Sequence, residues 1–182
     1  MRKFALCTVL LFVGMPLLAK LSIDATGGFK LMIPEENAKS ETYPVIGITA
    51  NYSIPKMPIS IRESFEYGHG SWIPTNIDGN LTDVNATLKT ILLAVQYNIE
   101  MPSAPVSFYI GAGPEMVIFD SSERLGDIIY SFDYTDEGAL IYAGGSVNMG
   151  VISLFTEAGF GMFFETLATN HVPINGGIKF NL

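Results

Sequence analysis

Residues 171–182 read HVPINGGIKFNL, and this stretch decides the fold. Apolar and polar residues alternate along it, which is the pattern of a β-strand with one apolar and one polar face. Such a strand needs a partner on each side, because an unpaired edge leaves backbone N–H and C=O groups exposed. Closing a barrel supplies the missing partner, since the first and last strands then pair. The apolar face is Val172, Ile174, Gly176, Ile178, Phe180 and Leu182, and the polar face is His171, Pro173, Asn175, Gly177, Lys179 and Asn181.

Earlier segments alternate in the same way and are separated by turn or loop sequences. Short turns that contain proline or glycine alternate with longer polar connections, of which the longest is predicted at 120–137. An even number of strands with this rhythm is typical of transmembrane β-barrels, with the short turns and both ends of the barrel in the periplasm. The predicted strands are 20–31, 43–54, 59–69, 83–99, 106–119, 138–149, 151–164 and 171–182.

The amino-terminal residues 1–19 have the pattern of a secretory signal peptide. Arg2 and Lys3 precede an apolar run that ends in small residues suited to cleavage. An uncleaved anchor helix is the alternative. We therefore predict one barrel domain over 20–182, without disulfides, because Cys7 is the only cysteine of the chain.

Composition narrows the class of protein further. The chain is 48% hydrophobic with a formal net charge of −8, and no basic stripe is present, which argues against nucleic acid as a partner. After the signal peptide no run of 18 apolar residues occurs, so a second spanning helix is not predicted. High apolar content without such a helix fits a barrel whose apolar face meets lipid.

Charged residues also fall on the polar faces of the predicted strands, which would line the lumen. An isolated charge in a narrow, partly dry lumen is costly, so these residues are expected to pair. We predict an ion-pair network that holds the lumen closed, with a selectivity filter or proton relay as the alternative. The network residues are Asp24, Lys30, Arg62, Glu66, Glu115, Glu157 and Lys179.

A second candidate site lies on the opposite face of the third strand. His69, Ser71 and Glu63 share a face with apolar residues, and a histidine that activates a serine while a carboxylate orients it is the set of an acyl hydrolase. The His-x-Ser pair resembles that of lipid A deacylase barrels, on their outer wall. The alternative is a β-bulge that turns Glu63 inward, with His69 and Ser71 already in a loop. No metal site or cofactor is predicted.

Aromatic residues gather near the predicted strand ends. In a membrane barrel, aromatic residues at these positions form girdles at the two membrane interfaces. The predicted girdle residues are Phe29, Tyr43, Tyr52, Tyr67, Trp72, Tyr97, Phe119, Phe163 and Phe164.

The signal peptide, the hairpin at 92–119 with its FYIGAG core, and the ending GGIKFNL resemble the small outer-membrane barrels of diderm bacteria. These are the OmpA-like, OmpX-like and OmpW-like proteins. The resemblance implies an eight-stranded, all-β, integral outer-membrane protein in contact with lipid and lipopolysaccharide. It also implies that Ile178, Phe180 and Leu182 carry the signal read by the barrel-assembly machinery, with Phe180 two places before the usual terminal aromatic residue.

From these observations we expect a monomeric, porin-like membrane protein without catalysis. Its role would be membrane integrity, adhesion, or passage of small or apolar solutes, and its outer loops, above all 120–137, would be the contact surface. One alternative is the lipid A acyl hydrolase that uses His69, Ser71 and Glu63. A weaker alternative is a soluble periplasmic ligand-binding barrel, which the charged lumen disfavours.

Overall fold

The computed structural model describes residues 20–34, 40–72, 81–125, 128–164 and 169–182. The signal peptide predicted at 1–19 lies outside these residues. No helix in the described ranges is long and apolar enough to cross a membrane. The strands are β1 (Lys20–Pro34), β2 (Glu41–Ser53), β3 (Ile59–Trp72), β4 (Leu81–Glu100), β5 (Val106–Leu125), β6 (Ile128–Asn148), β7 (Ile152–Phe163) and β8 (Thr169–Asn181).

The eight strands form one closed antiparallel barrel in which sequence neighbours pair and β8 pairs with β1. The β1–β8 register runs without a shift from Ser22 opposite Asn181 to Pro34 opposite Thr169. The prediction of an eight-stranded up-and-down barrel that closes on its last strand is confirmed. Because closure gives every strand a neighbour on both sides, the barrel wall has no free edge.

One end of the barrel, which we call the turn end, holds the three tight turns between Ser53 and Ile59, Glu100 and Val106, and Asn148 and Ile152. In the last of these, Gly150 has a φ of 95°, a left-handed conformation that glycine adopts without strain. Its N–H donates to Asn148 Oδ1 at 2.8 Å. Short turns therefore join the strands tightly at this end.

The outer wall of the barrel is apolar and the inner face is polar. At most positions of the strands, outward-facing apolar side chains alternate with inward-facing polar or small ones, as the sequence predicts, and the exceptions lie mainly toward the end opposite the short turns. A contiguous apolar surface of this extent is what a hydrocarbon environment requires and what a water-soluble surface avoids. Exposed members of the wall include Phe29, Ile46, Ile48, Phe65, Val95, Tyr97, Phe108, Ile110, Ile141, Leu154, Phe160, Met162, Ile174, Ile178 and Phe180.

The end opposite the turn end differs from the sequence prediction. The prediction of a long loop at 120–137 is wrong. Strand β5 continues to Leu125 and β6 begins at Ile128, and the two strands pair without a register shift. Residues 81–87 of β4 pair with 120–125 of β5, while β7 pairs with β6 only from Gly138 onward. We call residues 81–87, 120–125 and 128–137 the projecting sheet, since they extend beyond the end of β7.

The outer wall leads to a first prediction. Replacing Ile48, which is 56% exposed, with arginine puts a charge in the middle of the apolar wall. In a bilayer we expect this to lower the free energy of unfolding by about 2–4 kcal/mol. Met57→Arg is the matched control, because Met57 is 59% exposed but lies in a turn. The measurement is urea unfolding of liposome-reconstituted protein; equal stability of the two variants would contradict a lipid-facing wall.

Candidate functional site

The lower part of the lumen, nearer the turn end, contains a buried ion pair between Arg62 of β3 and Glu157 of β7. The guanidinium donates two parallel hydrogen bonds to the carboxylate, Nη1 to Oε2 at 2.6 Å and Nη2 to Oε1 at 2.7 Å. The Tyr109 hydroxyl donates a further bond to Oε2 at 2.9 Å, and the Tyr142 ring lies 4.6 Å from the guanidinium carbon. This bidentate geometry gives strong, orientation-specific pairing. It joins opposite parts of the barrel wall across the lumen.

Asp24 and Lys179 lie beside this pair. Asn51 Nδ2 donates to Asp24 Oδ2 at 2.8 Å, and Lys179 Nζ is 4.0 Å from the same oxygen. Lys179 Nζ also lies 5.6 Å from the centre of the Tyr109 ring. The cation is therefore held by a carboxylate and by an aromatic face.

A second cluster lies higher in the lumen, around Lys30. Its Nζ is 2.8 Å from Glu115 Oε1, 3.2 Å from Glu66 Oε2 and 2.9 Å from Thr90 Oγ1, so all three ammonium hydrogens have acceptors. Lys30 itself is fully buried. A buried ammonium persists only with such complete pairing, so this cluster fixes β1, β3, β4 and β5 relative to one another.

His171 belongs to the second cluster, although it is not among the network residues predicted from the sequence. Its Nε2 lies 2.8 Å from Glu115 Oε2, at an angle poor for a hydrogen bond, and its ring stacks on Phe163 with centroids 4.5 Å apart. A side chain on Gly161 would collide with the imidazole ring. His171 alternates with Pro173 and Asn175 on the polar face of β8, which is the signal that could have identified it.

The space between and above the two clusters is closed. A cavity of about 10 Å³, bordered by Glu66, Glu157 and Asn175 among others, separates them, which is about the minimum for one water molecule. Above the second cluster the lumen is filled by apolar side chains, which we call the plug. The plug consists of Met32, Tyr43, Val45, Ala86, Leu88, Val117 and Phe163, with Phe119 packed against it.

The structure places every residue of the predicted network on the lumen side of its strand. It brings Arg62 together with Glu157, Lys30 with Glu66 and Glu115, and Asp24 with Lys179. Asn175 Nδ2 donates to Glu66 Oε1 at 2.8 Å, a link that the sequence did not suggest. The wall strands β1, β3, β5, β7 and β8 are thus connected through the interior.

The hydrolase candidate is not assembled in the structure. Glu63 lies opposite Ala50 and Leu93 without a register shift, so the suggested bulge is wrong and its side chain is on the outward face. His69 and Ser71 belong to β3 rather than to a loop, and His69 is exposed. His69 follows Glu63 by six positions, which is about 20 Å along an extended strand and too far for the carboxylate to orient the imidazole.

The prediction of the aromatic girdle is also wrong for three of its residues. Tyr43 and Phe163 face the lumen and belong to the plug, and Phe119 packs against it, because the inner face is apolar at this height. Tyr67, Tyr97, Phe29 and Phe164 are exposed on the outside, as predicted. The side chain of Trp72 lies outside the described part of the molecule.

The outward face of the projecting sheet is polar, and so is the part of the outer wall directly next to it. Thr87, Asp120 and Asp133 lie directly opposite one another on β4, β5 and β6, and His69 of β3 lies opposite Thr87. Lys89 Nζ lies 2.8 Å from Asp120 Oδ2 in an exposed ion pair. These strands border an open groove of about 440 Å³.

The opposite face of the projecting sheet is aromatic. Tyr134 stacks on Phe119 with ring centroids 4.9 Å apart, and Phe119 meets Tyr43 edge-on with centroids 6.4 Å apart. These ring contacts connect the plug to the projecting sheet. Burial, together with the nearby carboxylate of Asp136, raises the pKa of Tyr134 above its ordinary value. Further along β6, Phe132 and Tyr130 are exposed.

The residues of the predicted assembly signal lie together on the outer wall of β8. Ile178 is opposite Ala25 of β1 and Leu154 of β7, and Phe180 is opposite Ile23 and Ile152. Leu182 follows the strand, and its N–H donates to Leu21 O at 3.0 Å. These side chains are exposed and belong to the seam where the barrel closes.

Comparison with known proteins identifies the fold. No protein-family model and no curated protein matches the chain. Among solved structures, Neisserial surface protein A aligns with a TM-score of 0.67 at 14% identity, over 89% of this chain and 97% of that one. A major outer membrane protein from Thermus thermophilus aligns with a TM-score of 0.68 at 12% identity, over 90% and 99%. The attachment invasion locus protein of Yersinia pestis aligns with a TM-score of 0.60 at 10% identity, over 90% and 97%. The fold is that of the small eight-stranded outer-membrane barrels.

The lumen network leads to a second prediction. Arg62→Met leaves the Glu157 carboxylate buried without its guanidinium, and we expect the free energy of unfolding to fall by about 3–5 kcal/mol. The double variant Arg62→Met/Glu157→Met removes both charges and should recover much of that loss. Urea unfolding in a fixed detergent, followed on unboiled gels, measures both.

Lys89→Met is the control for this experiment, because it breaks the exposed pair with Asp120 and should change stability little. A single Arg62 variant as stable as the Lys89 variant, or a double variant less stable than the single one, would contradict the structural importance of the buried pair.

Proposed function

We propose that the protein is an integral outer-membrane barrel without catalysis that presents the projecting sheet for contact outside the cell. The observation that carries this proposal is the closed lumen, whose ion-pair clusters and plug leave space for about one water molecule between the clusters. A lumen in this state does not serve passage of solutes. The projecting sheet is then the part of the protein that is available for a function, and we favour adhesion.

The apolar outer wall and the structural neighbours support this assignment. The apolar wall fits the hydrocarbon of a membrane, and the structural neighbours are outer-membrane proteins. The name of the Yersinia pestis neighbour, attachment invasion locus protein, favours surface contact among the possible roles. In this setting the wall would contact lipid and lipopolysaccharide, and Ile178, Phe180 and Leu182 would engage the barrel-assembly machinery during insertion.

The hydrolase and the soluble barrel receive less support. Glu63 is too far along the strand to orient His69, and in the described residues Thr87 lies beside His69 on β4. A soluble ligand-binding barrel needs an apolar cavity and a polar exterior, whereas this barrel has charged lumen clusters and an apolar wall. We therefore propose neither catalysis nor a lumen ligand.

We propose an orientation with the turn end in the periplasm and the projecting sheet outside, since outer-membrane barrels keep their short turns inside. Single cysteines test it in a Cys7→Ser background, because Cys7 is the only cysteine of the chain. With a membrane-impermeant maleimide, Ser131→Cys should react on intact cells. Met57→Cys should react only after permeabilisation. The reverse pattern would overturn the orientation, and recovery in the soluble periplasmic fraction would overturn the membrane assignment.

The closed lumen predicts the absence of a pore. Purified protein in planar lipid bilayers should give no unitary conductance steps, because the two ion-pair clusters and the plug block the axis. A large-diameter porin reconstituted in the same way is the positive control. Reproducible steps from folded protein would contradict the display role and favour passage of small solutes.

A further inference from the structure

We propose that Glu63, on the lipid-facing side of β3, binds the primary ammonium group of a membrane lipid, as in a phosphatidylethanolamine headgroup. This inference rests on the membrane assignment in the proposed function, because it requires the outer wall to face lipid. It does not depend on the role of the projecting sheet. It adds a specific lipid contact to a part of the wall that is otherwise apolar.

The strand register places Glu63 on the outer wall. Glu63 lies opposite Ala50 of β2 and Leu93 of β4, and neither ladder shifts at this point. The residues before and after it, Arg62 and Ser64, are buried in the lumen, where Arg62 Nε donates to Ser64 Oγ at 3.0 Å. Since side chains alternate between the two faces of a strand, Glu63 is directed toward lipid.

The carboxylate of Glu63 has no partner within the described part of the barrel. Neither of its oxygens has a hydrogen-bond partner there. The outward cation Lys89 lies opposite Tyr67, four residues further along β3, and it is paired with Asp120. An unpaired carboxylate in hydrocarbon is costly, so an ionisable residue on a lipid-facing surface is expected to have a partner.

The height of Glu63 on the wall brings a lipid headgroup within reach. Tyr97 lies opposite Ile59, the first residue of β3, and Tyr52 lies opposite Ile61. Tyrosines at the ends of lipid-facing strands mark the membrane interface, here at the turn end. Glu63 is two positions beyond Ile61, which is about 7 Å along the strand. Its flexible side chain therefore turns the carboxylate back toward the interface while its backbone stays in the apolar band.

A primary ammonium group fits the chemistry of this position. It carries the opposite charge and three N–H donors, so it satisfies both carboxylate oxygens through charge-assisted hydrogen bonds. Tyr52 is close enough to interact electrostatically with Glu63, and its ring offers a face to the same cation. A quaternary ammonium carries the charge but no N–H donor, and a glycerol headgroup carries no cation. The position therefore distinguishes phosphatidylethanolamine from phosphatidylcholine and phosphatidylglycerol.

A second copy of this chain fits the position less well. A twofold axis through Glu63 would bring two carboxylates together, and like charges in apolar surroundings repel. Glu63 is also only 7% exposed, whereas Phe65 and Val95 beside it on the same wall are 45% and 59% exposed. A carboxylate that lies lower than its neighbours is reached more readily by a single slender group than by the wall of another barrel.

Native mass spectrometry of the folded protein in detergent tests the site. The probes are phosphatidylethanolamine, phosphatidylcholine and phosphatidylglycerol with identical acyl chains. We expect the wild type to bind phosphatidylethanolamine at least about tenfold more tightly than the other two, because only this lipid offers charge-assisted hydrogen bonds to Glu63. Glu63→Gln keeps the size of the side chain but removes its charge, and it should bind the three lipids alike. Glu100→Gln is the matched control, because Glu100 is an exposed carboxylate at the turn end, and it should behave like the wild type.

Stability in liposomes gives a second measurement that does not depend on detergent. A lipid that binds only the folded state stabilises it. Replacing part of the phosphatidylcholine with phosphatidylethanolamine should therefore raise the urea midpoint of the wild type and of Glu100→Gln more than that of Glu63→Gln. The quantity compared is the difference between variants, because phosphatidylethanolamine also changes the bilayer itself.

Four outcomes would overturn the inference. They are equal binding of the three lipids by the wild type, unchanged selectivity in Glu63→Gln, displacement of the lipid by free ethanolamine, and a dimer that Glu63→Gln dissociates. The third would assign the position to a soluble amine, and the fourth would assign it to a second copy of the chain. If the lipid selectivity is absent while Ser131→Cys is labelled on intact cells, this inference fails and the display function stands.

Discussion

The pairing of β8 with β1 is the contact on which the rest of the structure depends. A strip of hairpins in hydrocarbon leaves two edges whose backbone groups cannot bond to water, and each unsatisfied group is costly there. The register from Ser22–Asn181 to Pro34–Thr169 removes both edges at once. Closure also fixes which side chains face inward, since a shift by one residue would exchange the two faces of a strand. The alternation in residues 171–182 thus separates the side chains that β8 contributes to the outer wall from those that it contributes to the lumen.

Closure with eight strands makes the interior too narrow to remain an aqueous channel. Charges inside must therefore pair, and the bidentate Arg62–Glu157 contact and the fully bonded Lys30 ammonium are how this chain satisfies that requirement. In so narrow a lumen, large aromatic side chains must also lie opposite small residues. A Cβ at Gly111 would strike Tyr142, and one at Gly144 would strike Tyr109, so these glycines create the space in which the two tyrosines flank the ion pair. The same constraint that closes the wall therefore fills the lumen.

Most of the barrel could be predicted from the sequence because period-two alternation is strong wherever one face meets lipid and the other meets polar groups. The prediction fails where that contrast disappears. At the plug both faces are apolar, so Tyr43 and Phe163 were placed outside. In the projecting sheet, residues 120–123 of β5 (DSSE) are polar on both faces, so the sequence indicates a loop at 120–137 although β5 and β6 pair to Leu125 and Ile128. Pairing between lumen charges depends on the stagger of strands around the barrel, which a single sequence does not contain. The polar-face position of His171 could therefore be predicted, but its contact with Glu115 could not.

The two ends of the barrel obey different constraints. At the turn end three tight turns join the strands, and no described strand extends past its neighbours there by more than a few residues. At the other end β6 runs about ten residues beyond the point where β7 ends, which the requirements of the membrane-spanning wall do not explain. Among the residues that the structure describes, this part of β6 pairs with β5 alone, so the closure that gives every wall strand two neighbours does not extend to it. The same alternation that builds a sealed wall in lipid therefore continues, a few residues further along β6, into a sheet that stands beyond that wall.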